Sequence, residues 1–116
     1  MGYKQIKPFE ERLMESLKIR EKYPDRVCII CEKSSKSGNV KEINKIKYLV
    51  PTTLTLGQFI HIIRKKIDME PCKSLFLFVN NRIVPPTTSE MGRLYDLYKD
   101  EDNLLYLTYA TENTFG

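Results

Sequence analysis

The sequence predicts an α+β fold: a mixed sheet with helices across one face in β-grasp order, preceded by two further helices. Three observations carry that prediction. A β-branched strand pair is followed at once by the strongest helical periodicity in the chain. Apolar strand signals return later with a second helix between them. Helical spacing also occupies the N-terminal segment, outside this core.

Tyr3–Lys7 reads as a short, poorly anchored helix that Pro8 separates from the next. From Phe9 to Tyr23, Phe9, Leu13, Met14, Leu17 and Ile19 recur at near-helical spacing with charges between them, so an amphipathic helix is expected, ended by Pro24-Asp25. Val27–Glu32 is a buried strand, Ser34–Asn39 a polar turn, and Ile46–Val50 the returning strand, closed by Pro51, which cannot donate to a ladder. Thr55-Leu56-Gly57-Gln58 has capping-box spacing, with Leu56, Phe59, Ile60, Ile63 and Ile67 behind it. Leu75–Val79 is apolar at every position and is expected inside the sheet. Asn80-Asn81 marks a turn, because asparagine tolerates positive φ. Thr87-x-x-Glu90 offers a capping box for a helix carrying Met91, Leu94, Tyr95 and Tyr98. A charged turn over Asp100–Asn103 then leads into the last strand, Leu104–Tyr109.

At 116 residues the chain fits one domain, and such a domain buries roughly two-thirds of its unfolded surface. Residues 1–50 hold 12 basic and 7 acidic side chains, residues 51–116 hold 7 and 8, so the net +4 lies wholly in the first half. That imbalance suits acidic peptides or anionic membrane surfaces and falls short of a nucleic-acid reader. No apolar run approaches the roughly 18 residues of a membrane span, and the charged opening does not read as a secretory leader. Three cysteines without such a leader suggest a reducing, cytoplasmic setting. Cys28-Ile29-Ile30-Cys31 has redox spacing, but on a strand i and i+3 point to opposite faces, so buried structural thiols are expected. His61 and the three cysteines are scattered over different elements, which gives no zinc set. No nucleophile–base pair, phosphate loop or paired carboxylates are present, so neither an enzyme nor a cofactor is expected.

Eight blocks occur in order: Pro8-Phe9-Glu10, Ile30-Cys31-Glu32-Lys33, Lys47-Tyr48-Leu49-Val50-Pro51, Leu56-Gly57-Gln58-Phe59, Ile63-Arg64-Lys65, Phe76-Leu77-Phe78-Val79-Asn80, Pro85-Pro86-Thr87 and Glu112-Asn113-Thr114-Phe115-Gly116. Together they resemble the autophagy-related ubiquitin-like modifiers, which include the GABARAP and light-chain-three types, over about Pro8 to Gly116. The resemblance implies a ubiquitin-like β-grasp over 25–110, an N-terminal helical extension over 1–24 and a flexible conjugation tail over 111–116. It implies conjugation of Gly116 to phosphatidylethanolamine by E1-like and E2-like enzymes, after a cysteine protease has read Phe115 with support from Phe76 and Phe78. Glycine suits that end because it lacks a Cβ and leaves its carbonyl unhindered. The sequence stops at Gly116, as a chain encoded ready for activation or as a trimmed one. A two-chain lipid anchors stably where one chain does not.

The resemblance further implies that aromatic-x-x-aliphatic motifs of cargo receptors add as a strand to the edge at Lys47–Pro51. Carried over residue by residue, the aromatic pocket comprises Glu15, Ile19, Cys28, Ile30, Lys47, Leu49 and Leu104. The aliphatic pocket comprises Tyr48, Val50, Pro51, Leu54, Phe59, Ile62 and Lys66. Arg26, Lys45 and Lys47 would meet acidic flanks of the motif. Cys28 stands where the family usually has proline, and Leu104 where it usually has phenylalanine. Burying one aromatic gains about 4–6 kcal/mol, while association costs about 4–15 kcal/mol, so both pockets are needed for micromolar binding. The implied setting is cytoplasmic, and the autophagosome membrane once conjugated. Two other readings stay open at this stage: an unconjugated adaptor binding microtubules or receptors through the basic N-terminal helices, and conjugation to proteins instead of lipid.

Overall fold

The computed structural model of the protein describes residues 2–34, 41–70 and 72–111. Eight elements follow in the expected order: α1 (Tyr3–Ile6), α2 (Phe9–Lys22), β1 (Arg26–Lys33), β2 (Lys47–Pro51), α3 (Leu56–Lys66), β3 (Phe76–Val79), α4 (Met91–Tyr98) and β4 (Leu105–Ala110). The sheet runs β2-β1-β4-β3, with β1 and β4 parallel at its centre and both outer pairs antiparallel. This is the ubiquitin-like β-grasp, with two additional helices at its N-terminus.

Each sheet face carries its own apolar cluster, as alternation along a strand requires. On one face Val27, Ile29, Cys31, Tyr48, Val50, Leu77, Val79, Leu105, Leu107 and Tyr109 meet Leu56, Phe59 and Ile63 of α3 and Met91, Leu94 and Tyr95 of α4. On the other, Cys28, Ile30 and Leu104 meet Tyr3 of α1 and Ile19 of α2. The two motif cysteines thus sit on opposite faces, as strand geometry demands. Thr55 caps α3 with the reciprocal Gln58 bonds its spacing predicts. Asn80 and Asn81 turn at φ 54° and 64°.

Four expectations need correction. β3 is an edge strand, not an interior one. Its apolar residues answer to burial of its two faces, with Leu77 and Val79 on one side and Phe78 on the other, and burial is independent of ladder position. The Thr87–Glu90 capping box does not form: Glu90 is the N-cap of α4 and makes no side-chain cap bond. Instead Met91 N donates to Leu54 O at 2.7 Å and Gly92 N to Thr52 O at 2.9 Å, so backbone carbonyls after β2 satisfy the orphan donors. α1 is tied down rather than poorly anchored. Tyr3 is buried, its N donates to Glu32 Oε2 at 2.8 Å, and Lys4 pairs with Asp100.

α2 forms, but it turns a polar stripe inward. Phe9, Met14 and Leu17 are exposed, whereas Arg12 and Ser16 are buried. The reason is Asp102, the residue least expected inside: the charged turn buries it completely, and it pairs there with Arg12. Ser16 Oγ donates to Asp102 O at 2.5 Å. Periodicity locates a helix, but satisfied polar groups decided which face it buries.

Candidate functional site

Strand β2 lies at the outer limit of the sheet, paired with β1 alone among the described residues; Val27 opposes Val50, Cys28 opposes Leu49 and Ile30 opposes Lys47. Its outer backbone groups are therefore available for a further strand. Alternation sends Tyr48 and Val50 into the α3 face and leaves Lys47 and Leu49, half-buried, on the α2 face.

Of the seven predicted aromatic-pocket residues, Cys28, Ile30, Leu104 and Ile19 share the α2-face cluster, Leu49 and Lys47 stand opposite Cys28 and Ile30 on β2, and Glu15 bonds Lys47. Cys28, Ile30 and Leu104 are buried, the place a floor of the predicted pocket would take. Ile19, Lys47 and Leu49 form the half-buried rim. Glu15 crosses that rim: its Oε2 accepts from Lys47 Nζ at 2.9 Å, and its Oε1 accepts from Lys7 Nζ. Lys7 first and Lys47 second hold the Glu15 carboxyl below its ordinary value, against the opposing effect of burial. Burial works against the charge on Lys47, but the Glu15 bond and the neighbouring Cys28 and Tyr3 outweigh it and its pKa is raised. Burial pushes the Cys28 thiol up, with Lys47 opposing, and complete burial pushes Cys31 up much further.

The aliphatic set divides differently. Tyr48, Val50 and Phe59 belong to the main core, where the Tyr48 and Phe59 rings meet edge-to-face with centroids 5.3 Å apart. Leu54 and Ile62 pack on that core half-buried, and Pro51 and Lys66 are exposed, so these four supply the accessible part. Arg26, opposite Pro51, and Lys45, just ahead of β2, are both exposed, so cations stand at both ends of the edge strand.

The description "Autophagy protein Atg8 ubiquitin like" fits residues 11–116 of this chain. The chain belongs to the Atg8 family. "Autophagy-related protein 8" of Schizosaccharomyces pombe is 53% identical over 108 residues, covering 93% of this chain and 88% of that protein. The protein of the same name from Neosartorya fischeri is 50% identical over 114 residues, covering 98% and 95%. The crystal structure of Trypanosoma brucei ATG8 superposes with a TM-score of 0.89 at 42% identity, over 100% of this chain and 98% of that one. The chain is therefore a ubiquitin-like protein of autophagy.

The residues assigned to the family's protease lie at the opposite edge from the pockets. Phe78 is buried and Phe76 half-buried on β3, and Phe76 pairs with Ala110 at the end of β4. Phe115 and Gly116 lie outside the described residues. Among the described residues no helix is long and apolar enough to cross a membrane. Sequence reasoning missed Lys7, the second cation on Glu15, and Tyr3, which joins the pocket floor. The signal was there for Tyr3, an aromatic in an otherwise polar segment.

Proposed function

We propose that this chain is a modifier, not an enzyme, joined through Gly116 to phosphatidylethanolamine by E1-like and E2-like enzymes after a cysteine protease has read Phe115, Phe76 and Phe78. On the autophagosome membrane it recruits cargo receptors by adding their acidic aromatic-x-x-aliphatic motifs to β2. The observation that carries the docking half is the outer side of β2, unpaired among the described residues, with a separate apolar set on each face of the strand and a cation at each end. The membership of the family, with the match running to residue 116, supports the conjugation half. The recruited peptide pairs with the edge backbone, its aromatic residue entering between Ile19 and Leu49 and its aliphatic residue resting on Leu54 and Ile62. Each contact is weak, and many copies on one membrane supply avidity.

The test has two arms. An acidic Trp-x-x-Leu peptide should bind with roughly micromolar Kd, shifting amide resonances of Arg26–Ile30 and Lys47–Leu54, and Lys47→Glu with Leu49→Ala should weaken it strongly. Shifts confined to other surfaces would discard the docking site. Separately, the intact chain mixed with the enzymes, ATP and liposomes should gain a phosphatidylethanolamine mass that Gly116→Ala does not. Lipid gain by the alanine variant, or none by the intact chain, would discard conjugation.

A further inference from the structure

Tyr3 is 8% exposed and belongs to the cluster of Cys28, Ile30 and Leu104 against which Ile19 packs. It therefore touches the floor of the aromatic pocket from α1. Its hydroxyl is buried and finds no hydrogen-bond partner among the described residues, a condition shared there only with Thr108 Oγ1. The polar groups of this end of the sheet bond one another instead. Glu15 accepts from Lys7 and Lys47, the Tyr106 hydroxyl donates to Asp102 at 2.5 Å, and none of these groups bonds the Tyr3 hydroxyl. The Lys7 ammonium stands 5.9 Å from the centroid of the Tyr3 ring and pairs with Glu15, which also bonds Lys47, so the ring lies beside the charged rim.

A buried hydroxyl without a partner is unfavourable, and few native groups are left that way without a reason. We infer that Tyr3 is a polar subsite of the aromatic pocket, offering its hydroxyl to an incoming aromatic side chain that carries a hydrogen-bonding group. A tyrosine phenol can donate to it or accept from it, and a tryptophan indole N–H can donate to it. Phenylalanine fills the same space and leaves the hydroxyl unpaired. The cluster in which Tyr3 sits is also where Cys28 and Leu104 depart from the family's usual proline and phenylalanine. The inference rests on the docking reading above and adds selectivity to it.

The test uses three acidic peptides identical except for Trp, Tyr or Phe at the aromatic position, titrated calorimetrically into the wild-type chain and Tyr3→Phe. The wild type should favour the Tyr peptide over the Phe peptide, and Tyr3→Phe should shrink that ratio roughly three- to tenfold, the range of one net hydrogen bond. An unchanged ratio, with all peptides still binding, overturns the inference and leaves the docking reading standing. No binding of any peptide to the wild type overturns the docking reading and the inference together. Thermal melts of the free proteins give an independent check. Tyr3→Phe should melt at or above the wild-type temperature, and a drop of several degrees overturns the inference, since the hydroxyl would then already be partnered.

Discussion

Arg12 on α2 and Asp102, in the turn before β4, form a buried ion pair across 90 residues of sequence. Asp102 has no exposed surface, also accepts from Leu104 N at 3.0 Å and from the Tyr106 hydroxyl, and so joins the N-terminal helix to the last strand. Removing one member of such a pair leaves a buried charge unmatched, at a cost of about 3–5 kcal/mol. Asp102→Ala should lower stability by that amount in urea unfolding, whereas Arg12→Met with Asp102→Leu should cost distinctly less than either single change. A single-variant loss under about 1 kcal/mol would show the pair to be solvated.

Gly92 sits where α4 meets the loop after β2. A Cβ there would stand 2.8 Å from Thr52 Cβ and 3.1 Å from Thr52 O, so one of the two segments must move. Gly92→Ala should cost about 1–3 kcal/mol, as overpacking does. Because the adjacent Met91 N donates to Leu54 O, the variant should also bind aliphatic-ended peptides less well. Full stability in a thermal melt would refute the close approach.

The three thiols should separate by environment. Cys72 is exposed, while Cys28 and Cys31 are buried on opposite sheet faces with raised pKa values. Ellman's reagent at pH 8 should modify one thiol promptly in the folded chain and all three after unfolding. Prompt loss of a second thiol, or a Cys28–Cys31 disulfide in the folded protein, would reverse the structural reading of this pair. Cys28→Pro should keep the fold and alter the aromatic preference.

The rim contacts of Glu15 carry a pH signature. Its folded pKa is depressed, so its stabilising effect is complete above the ordinary glutamate value of about 4.3 and is lost as pH falls through the lower folded value. Lys7 and Lys47 are raised, so theirs is complete below about pH 10.4 and is lost as pH rises through the higher folded values. The Glu15 bridge should hold from about pH 5 to 10. Carbon-detected titration of the Glu15 carboxyl should give a midpoint below about 4.3, and a midpoint at or above it would show the bridge open in solution.

Element order, the α3 cap, the asparagine turn and the β2 edge were legible because each rests on local chemistry or on the family resemblance. The inward face of α2 was not, because Arg12 and Ser16 are buried only by virtue of Asp102, far along the chain. Neither was the edge position of β3, since Leu77 and Phe78 report on the two faces of a strand and say nothing of its lateral neighbours. The α4 cap was misread because the groups that satisfy it are backbone carbonyls, which leave no trace in side-chain identity. In the site, the alternation of Lys47 and Leu49 against Tyr48 and Val50 was readable, but the contribution of Tyr3 depends on how α1 folds back.

The parallel pairing of β1 with β4 also governs how the molecule is made. β1 can find β2 early, yet its other side stays open until nearly all the described chain has been synthesised. Through that interval Ile29, Ile30 and Cys31 line an apolar strand open on its β4 side, the kind of edge that nascent chains must keep from aggregating. Such non-local closure slows folding relative to a helical bundle. The centre of the sheet thus closes only once β4 is made, as does the outer β3–β4 pair.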